Sequence, residues 1–74
     1  MQAVLTVIPG KEPDLLNAGI LGGQMKAQGR IDDCRIAGAP RGLSIILKDN
    51  ASAQERRAII DEFKALGYQI IEAP

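Results

Sequence analysis

The chain has 74 residues, too few for two ordinary domains, and its nine acidic residues balance its nine basic residues. This balance predicts no general attraction to nucleic acid or to an anionic membrane. Phe63 and Tyr68 are the aromatic residues of the sequence, so it offers little surface on which bases could stack. We therefore expect one domain over residues 1–74 that does not bind nucleic acid.

The cysteine content and the hydropathy pattern of the sequence indicate the cellular compartment. Cys34 is the one cysteine of the sequence and can form no intramolecular disulfide, which favours a reducing compartment. Residues 1–8 lack the charge and the length of a signal peptide, and no apolar run approaches the roughly 20 residues that span a bilayer. These features predict a cytoplasmic protein with no membrane partner.

Three segments in the first two thirds of the sequence predict strands. Residues 3–8 are rich in β-branched and aliphatic side chains and stop at Pro9-Gly10, a pair that breaks regular structure. Residues 30–37 and 43–48 flank a turn at 38–42 that contains glycine and proline. We expect these two segments to form a β-hairpin.

A helix is predicted between Pro13 and Gly29, where apolar residues recur at spacings of three and four. Gly19, Gly22 and Gly23 oppose this prediction, because each costs about 1 kcal/mol relative to alanine inside a helix. Two interpretations remain open. The glycines either end the helix early, or they let it approach the second helix or the sheet closely.

A second helix is predicted after Asn50. Ser52 and Glu55 have the spacing of a capping box, in which each side chain accepts a hydrogen bond from a backbone N–H group at the helix start. Gly67 is suited to the left-handed conformation that ends a helix, and residues 68–72 then predict a last strand. Apolar residues mark one face of the helix, namely Ile59, Ile60, Phe63 and Leu66.

The predicted order of elements is β, α, β, β, α, β. It indicates an α+β domain with a ferredoxin-like βαββαβ sandwich, in which a four-stranded antiparallel sheet carries both helices on one face. Alternation along the first and third strands places Val4, Ile8 and Ile46 on the face without helices. Because a solvated face is normally polar, we expect these three residues to contact a second copy in a homodimer, or another protein.

The sequence shows little catalytic chemistry. It contains no histidine, no cysteine pair, no phosphate-binding loop motif and no clustered metal-ligand spacing. Asp32 and Asp33 are adjacent, so a strand would direct them to opposite faces, and we interpret them as solvated turn or edge charges. Cys34 has Arg30 and Arg35 nearby but no histidine as a base, and is interpreted as structural. We expect no enzymatic activity, no metal site and no cofactor.

The loop between the first strand and the first helix is the candidate ligand site. Free backbone N–H groups and the positive end of a helix can hold an anion or a carboxylate there. The alternative is an ordinary turn, in which Gly10 gives backbone freedom and Lys11 gives solubility. On the binding hypothesis, the ligand-binding residues are Pro9, Gly10, Lys11, Glu12 and Asp14.

Residues 1–8, followed by Gly10-Lys11-Glu12, resemble the opening of small stand-alone ACT domains. Residues 27–33 resemble the passage from the first helix into the second strand of that family, and residues 65–70 resemble its last helix-to-strand turn. The resemblance implies the βαββαβ order, pairing through sheets, and regulatory binding of an amino acid or similar metabolite near the first βα loop and a subunit interface.

Two departures from the ACT pattern affect the ligand site more than the fold. Pro9 is an insertion relative to the pattern. The second glycine of the family's loop, which lets the backbone approach a ligand, is replaced around Asp14 and Leu15.

Two functions follow as alternatives. The first is a non-enzymatic regulatory or sequestering module that binds a small polar, amino-acid-like metabolite as a homodimer. The second is a small inhibitor or adaptor that acts by protein contact through its sheet face or an edge strand. A concave polar pocket near residues 10–14 would favour the first function, and a flat apolar patch would favour the second.

Overall fold

A computed structural model of the chain describes residues 3–8, 12–38 and 41–73. Every predicted element is present, so the α+β class is confirmed. In chain order the elements are β1 (Val4–Ile8), α1 (Glu12–Ala27), β2 (Asp33–Gly38), β3 (Arg41–Ile46), α2 (Ala53–Ala65) and β4 (Gln69–Ala73).

The strands form one four-stranded antiparallel sheet in the order β2-β3-β1-β4. β1 therefore lies inside the sheet, between β3 and β4, while β2 and β4 form its edges. This arrangement, with two helices beside the sheet, is compatible with the ferredoxin-like layout predicted from the sequence.

The predicted hairpin is confirmed, with shifted strand ends. β2 and β3 pair from Asp33 opposite Ile46 to Gly38 opposite Arg41, so both strands run into the segment predicted as the turn. Residues 30–32 precede the strand instead of opening it. The reason is that the Arg30 N–H group donates to the Met25 carbonyl oxygen at 3.0 Å and closes the end of α1.

One face of the sheet forms the core together with both helices. Alternate residues of β1, Leu5 and Val7, have no exposed surface, as expected for a strand whose one face is covered. Burying such aliphatic side chains contributes about 1.5–3 kcal/mol each. The other core residues include Ala18 and Met25 of α1, Leu43 and Ile45 of β3, Leu47, and Ile59, Ile60 and Phe63 of α2.

α2 begins at the predicted N-cap and ends at the predicted glycine, but among the described residues the Glu55 side chain forms no return hydrogen bond, so half of the predicted capping box is present. The Glu55 N–H group donates to Ser52 Oγ at 3.0 Å, so Ser52 is the N-cap. Gly67 follows the helix with φ +89°, in the left-handed region that glycine adopts readily. The predicted apolar face is confirmed except for Leu66, which is exposed. Leu66 is the C-cap residue, outside the regular helix, and so it does not share the face of Phe63.

α1 is continuous through its glycines, so the interpretation that they end the helix early is wrong. Gly22 is buried against the sheet: a Cβ atom there would lie 3.1 Å from Leu43 Cδ2 and 3.3 Å from Cys34 Sγ. A Cβ atom at Gly19 or Gly23 would meet nothing within 4 Å. The close-approach interpretation is therefore correct at Gly22 and wrong at the other two glycines.

Candidate functional site

The face of the sheet turned away from the core, called the open face below, carries the candidate interface. Both helices contribute their buried side chains to the opposite face. The strand register assigns nine described side chains to the open face, and none of them is buried. They are Asp33 and Arg35 of β2, Ser44 and Ile46 of β3, Val4, Thr6 and Ile8 of β1, and Gln69 and Ile71 of β4.

The aliphatic residues of the open face are neighbours. Ile46 lies opposite Val4 across the β1–β3 pair, and Ile71 lies opposite Thr6 across the β1–β4 pair. Ile8 lies two residues further along β1 on the same face. Val4, Ile8 and Ile46 are half-buried, and Ile71 is 51% exposed. The three predicted interface residues thus share one apolar patch with Ile71.

A charged cluster borders this patch at the β2 edge. The Asp33 carboxylate accepts hydrogen bonds from Lys26 Nζ at 3.0 Å, from Arg35 Nε at 2.9 Å and from the Cys34 N–H group at 2.9 Å. These hydrogen bonds, led by those from Lys26 and Arg35, lower the pKa of Asp33 from 3.8 to about 2. Asp33 is therefore ionised at neutral pH, and it lies on an edge strand in agreement with the interpretation as a turn or edge charge, with ion pairs to Lys26 and Arg35 that the sequence did not indicate.

The Asp33 carboxylate also covers part of the sheet edge. The Cys34 N–H group points away from β3, since it donates to a side chain of its own strand. Successive residues of a strand direct their backbone groups to opposite sides, so those of Ile36 also point outward. The Ile36 side chain is exposed. The hydrogen bond from Cys34 to Asp33 thus protects the beginning of the β2 edge from pairing with another strand.

Two of the clefts that described residues line are on the helix side of the molecule. The first, called the α2–β4 cleft, has a volume of about 260 Å³ and is lined by Ala53, Arg56, Arg57, Ile60 and Glu72. Within it, Arg56 Nη2 donates to Glu72 Oε1 at 2.8 Å. The buried Arg56 Nε–H group donates to no acceptor in the described part of the chain. An unsatisfied buried donor of this kind costs about 1–3 kcal/mol.

The second cleft, of about 240 Å³, lies between α2 and the segment that follows α1. It is lined by Gly29, Arg30, Glu55, Ala58 and Ile59. Arg30 forms an ion pair and a hydrogen bond with Glu62, and this bond raises the pKa of Arg30. The Arg30 guanidinium thus joins the end of α1 to α2. Fewer of its donor groups are left for a ligand than in the α2–β4 cleft.

The predicted ligand loop falls largely outside the described residues. Pro9, Gly10 and Lys11 are not among them, and Glu12 and Asp14 belong to the first turn of α1 by their backbone. Metabolite binding at this loop stays a prediction. The same holds for the predicted cytoplasmic location and for the expected lack of catalysis, cofactors and nucleic-acid binding.

Sequence reasoning missed Ile71 and the α2–β4 cleft. Ile70 and Ile71 are adjacent, so a strand must place one of them on each face, and this signal could have identified Ile71. Arg56 and Glu72 come together only because α2 packs beside β4. No spacing in the sequence predicts that these two residues pair.

Within residues 3–8, 12–38 and 41–73, no cluster of three acidic or cysteine side chains is arranged to hold a metal ion. In the same part of the chain, no helix has both the length and the apolar character needed to cross a membrane.

Comparison with known proteins adds no relative: no protein-family model matches the chain, and no curated protein or solved structure is significantly similar to it. Nothing in these comparisons bears on the resemblance to ACT domains, which stays a prediction.

Proposed function

We propose that this domain is a ferredoxin-like βαββαβ module that acts by protein contact through the open face of its sheet, first of all with a second copy of itself. The observation that supports this most is the exposed aliphatic patch on that face. Ile71 is 51% exposed there on β4, next to the half-buried Val4 of β1, and the half-buried Ile46 follows on the other side of β1.

The chemistry of the open face is that of a contact surface. A sheet face that meets only water normally alternates to polar residues, whereas three of its four strands contribute an aliphatic side chain here. Protein interfaces combine an apolar centre with a polar, accessible rim. The aliphatic patch supplies such a centre, and the paired Asp33 and Arg35 supply a rim along β2.

A second copy is the simplest partner for this patch. The patch is apolar and carries no net charge of its own, so it is compatible with an identical patch. The charged cluster at its border pairs Asp33 with both Lys26 and Arg35, and its one excess positive charge lies at the solvated rim, where salt screens the repulsion between two copies. Association would also stabilise a 74-residue domain, whose small core leaves a modest free energy of unfolding.

Sedimentation of the purified chain tests the proposal. We expect the wild type to sediment as a dimer, and Ile46→Glu and Ile71→Glu to sediment as monomers with unchanged circular-dichroism spectra. Each substitution puts a charge into the centre of the apolar contact, where an unpaired charge is strongly disfavoured.

Ile20→Glu is the matched control, because Ile20 is about as exposed as Ile71 but lies on α1. It should leave the dimer intact. A wild type that stays monomeric at high concentration contradicts self-association, and a dimer lost equally in all three variants contradicts the open face as the site of contact.

A further inference from the structure

The α2–β4 cleft brings two cations and one carboxylate together on the helix side of the sheet. Ala53, Arg56, Arg57 and Ile60 recur at spacings of three and four, so they form a single stripe along α2. This stripe faces Glu72 of β4 across the cleft. We propose that the cleft binds a small carboxylate with a short aliphatic part, held by the guanidinium groups of Arg57 and Arg56.

The charge of the lining favours a singly charged anion. Arg56 and Arg57 carry two positive charges and Glu72 carries one negative charge, so the lining has one positive charge to balance. A carboxylate provides one negative charge. A doubly charged phosphate would bring excess negative charge close to Glu72, and like charges at this distance repel each other.

The first anchor is Arg57. Its side chain lines the cleft, and within the described residues it takes part in no ion pair or hydrogen bond. Its donors therefore need not break an existing contact to receive a ligand. A planar guanidinium binds a carboxylate through two parallel N–H···O bonds, which gives direction as well as charge.

The second anchor is Arg56, whose donor groups are only partly used. Arg56 Nη2 donates to Glu72, while the Nε–H group has no acceptor among the described residues. The side chain is 35% exposed, so a turn of its guanidinium can bring the Nε edge to the cleft. A carboxylate there supplies the missing acceptor.

The size and the apolar wall define the rest of the ligand. The volume of about 260 Å³ lies below the roughly 300–1,000 Å³ of pockets for drug-sized ligands, so the occupant has only a few heavy atoms. Ile60 and Ala53 contribute an apolar wall beside the arginines. The cleft is on the side of the sheet opposite the open face, and its binding does not depend on the proposed association.

A titration followed by nuclear magnetic resonance of the ¹⁵N-labelled chain tests the cleft. The probes are butyrate and inorganic phosphate, each at constant ionic strength maintained with chloride. We expect butyrate to cause saturable shifts of the backbone amides of Ala53, Arg56, Arg57 and Ile60 and of the Arg56 Nε–H signal. Absence of saturable shifts overturns the proposal, and equal affinity for phosphate overturns the assignment to carboxylates.

Variants locate the binding groups. Arg57→Gln and Arg56→Lys should each raise the dissociation constant for butyrate about tenfold or more. The first variant loses a charge-assisted hydrogen bond, and the second keeps the charge but loses the bidentate contact. Lys64→Gln removes one positive charge from the same helix outside the cleft, and should change the constant less than about twofold. Shifts that Lys11→Gln abolishes and Arg57→Gln preserves would place binding at the predicted loop and overturn the cleft.

Discussion

α1 and α2 cover the same face of the sheet, but α1 also contacts it through small residues, whereas the buried residues of α2 are all large. α2 inserts Ile59, Ile60 and Phe63 into the core. α1 presents Ala18 and Gly22 next to Leu15 and Met25, so that its backbone lies close to β2 and β3. α2 is held by large apolar side chains, whereas α1 combines the large side chains Leu15 and Met25 with a close approach at Gly22.

The outer surfaces of the two helices differ as well. The outer surface of α2 is mostly charged, whereas α1 leaves Leu16 and Ile20 exposed at 69% and 53%. Apolar residues on all sides of a helix blur the periodicity from which its buried face is recognised. The position of a helix can therefore be predicted where its buried face cannot.

The largest expected effect concerns the large side chains of α2. Phe63→Ala should lower the free energy of unfolding by about 3–5 kcal/mol, because it removes a fully buried ring and leaves a cavity. Urea unfolding followed by circular dichroism measures this loss. Leu66→Ala, at an exposed position next to the same helix, should change stability by less than about 0.5 kcal/mol.

Phe63→Leu keeps most of the side-chain volume. It replaces Phe63→Ala in the experiment if the alanine variant is already unfolded without denaturant. It should remain folded and be less stable than the wild type. Equal stability of Phe63→Ala and Leu66→Ala would contradict the assignment of the core to this face of α2.

The next effect concerns the close approach of α1. Gly22→Leu should destabilise the domain by about 1–3 kcal/mol, because the new side chain meets Leu43 and Cys34 where even a Cβ atom is tightly placed. Gly23→Ala should instead stabilise it by about 0.5–1 kcal/mol, since its Cβ atom meets nothing and alanine favours the helix. Thermal unfolding of both variants gives the sign of each change. Destabilisation of similar size by both would mean that α1 does not lie on the sheet through Gly22.

The smallest expected effect is on the stability of the fold at low pH. The pKa of Asp33 is lowered in the folded state from 3.8 to about 2, so its ion pairs stabilise the fold above about pH 4. This stabilisation is lost as the pH falls through about 2, where the folded-state carboxylate is protonated. Asp33→Asn should therefore be less stable than the wild type near neutral pH and closer to it in acid.

The acid effect is measured from urea-unfolding midpoints of both proteins at about pH 6 and about pH 2. Asp32→Asn, at the neighbouring carboxylate, is the comparison variant. A constant difference between Asp33→Asn and the wild type at both pH values would contradict the proposed role of the Asp33 ion pairs.

Local signals in the sequence were sufficient for the elements, because Ser52, Gly67 and the breaking pair Pro9-Gly10 act within a few residues. They were insufficient for the buried face of α1. Such a face is recognised from regularly spaced large apolar residues, and at Gly22 a glycine occupies one of the buried positions. Of the candidate sites, the open face followed from strand alternation. The α2–β4 cleft did not, because it depends on the packing of Arg56 against Glu72.

The position of β1 inside the sheet has a consequence for the folding rate. Val4 pairs with Ile46 on one side and with Ala73 on the other, so the inner strand acquires its neighbours from distant parts of the chain. The β2–β3 hairpin is local and can form early, but it gains its third strand only after a long loop has closed. Domains with such non-local pairing fold more slowly than helical domains of equal length, and their unpaired strands are exposed to aggregation meanwhile. A chain truncated before β4 would leave one side of β1 unpaired. This unpaired strand edge would stay exposed to aggregation after folding.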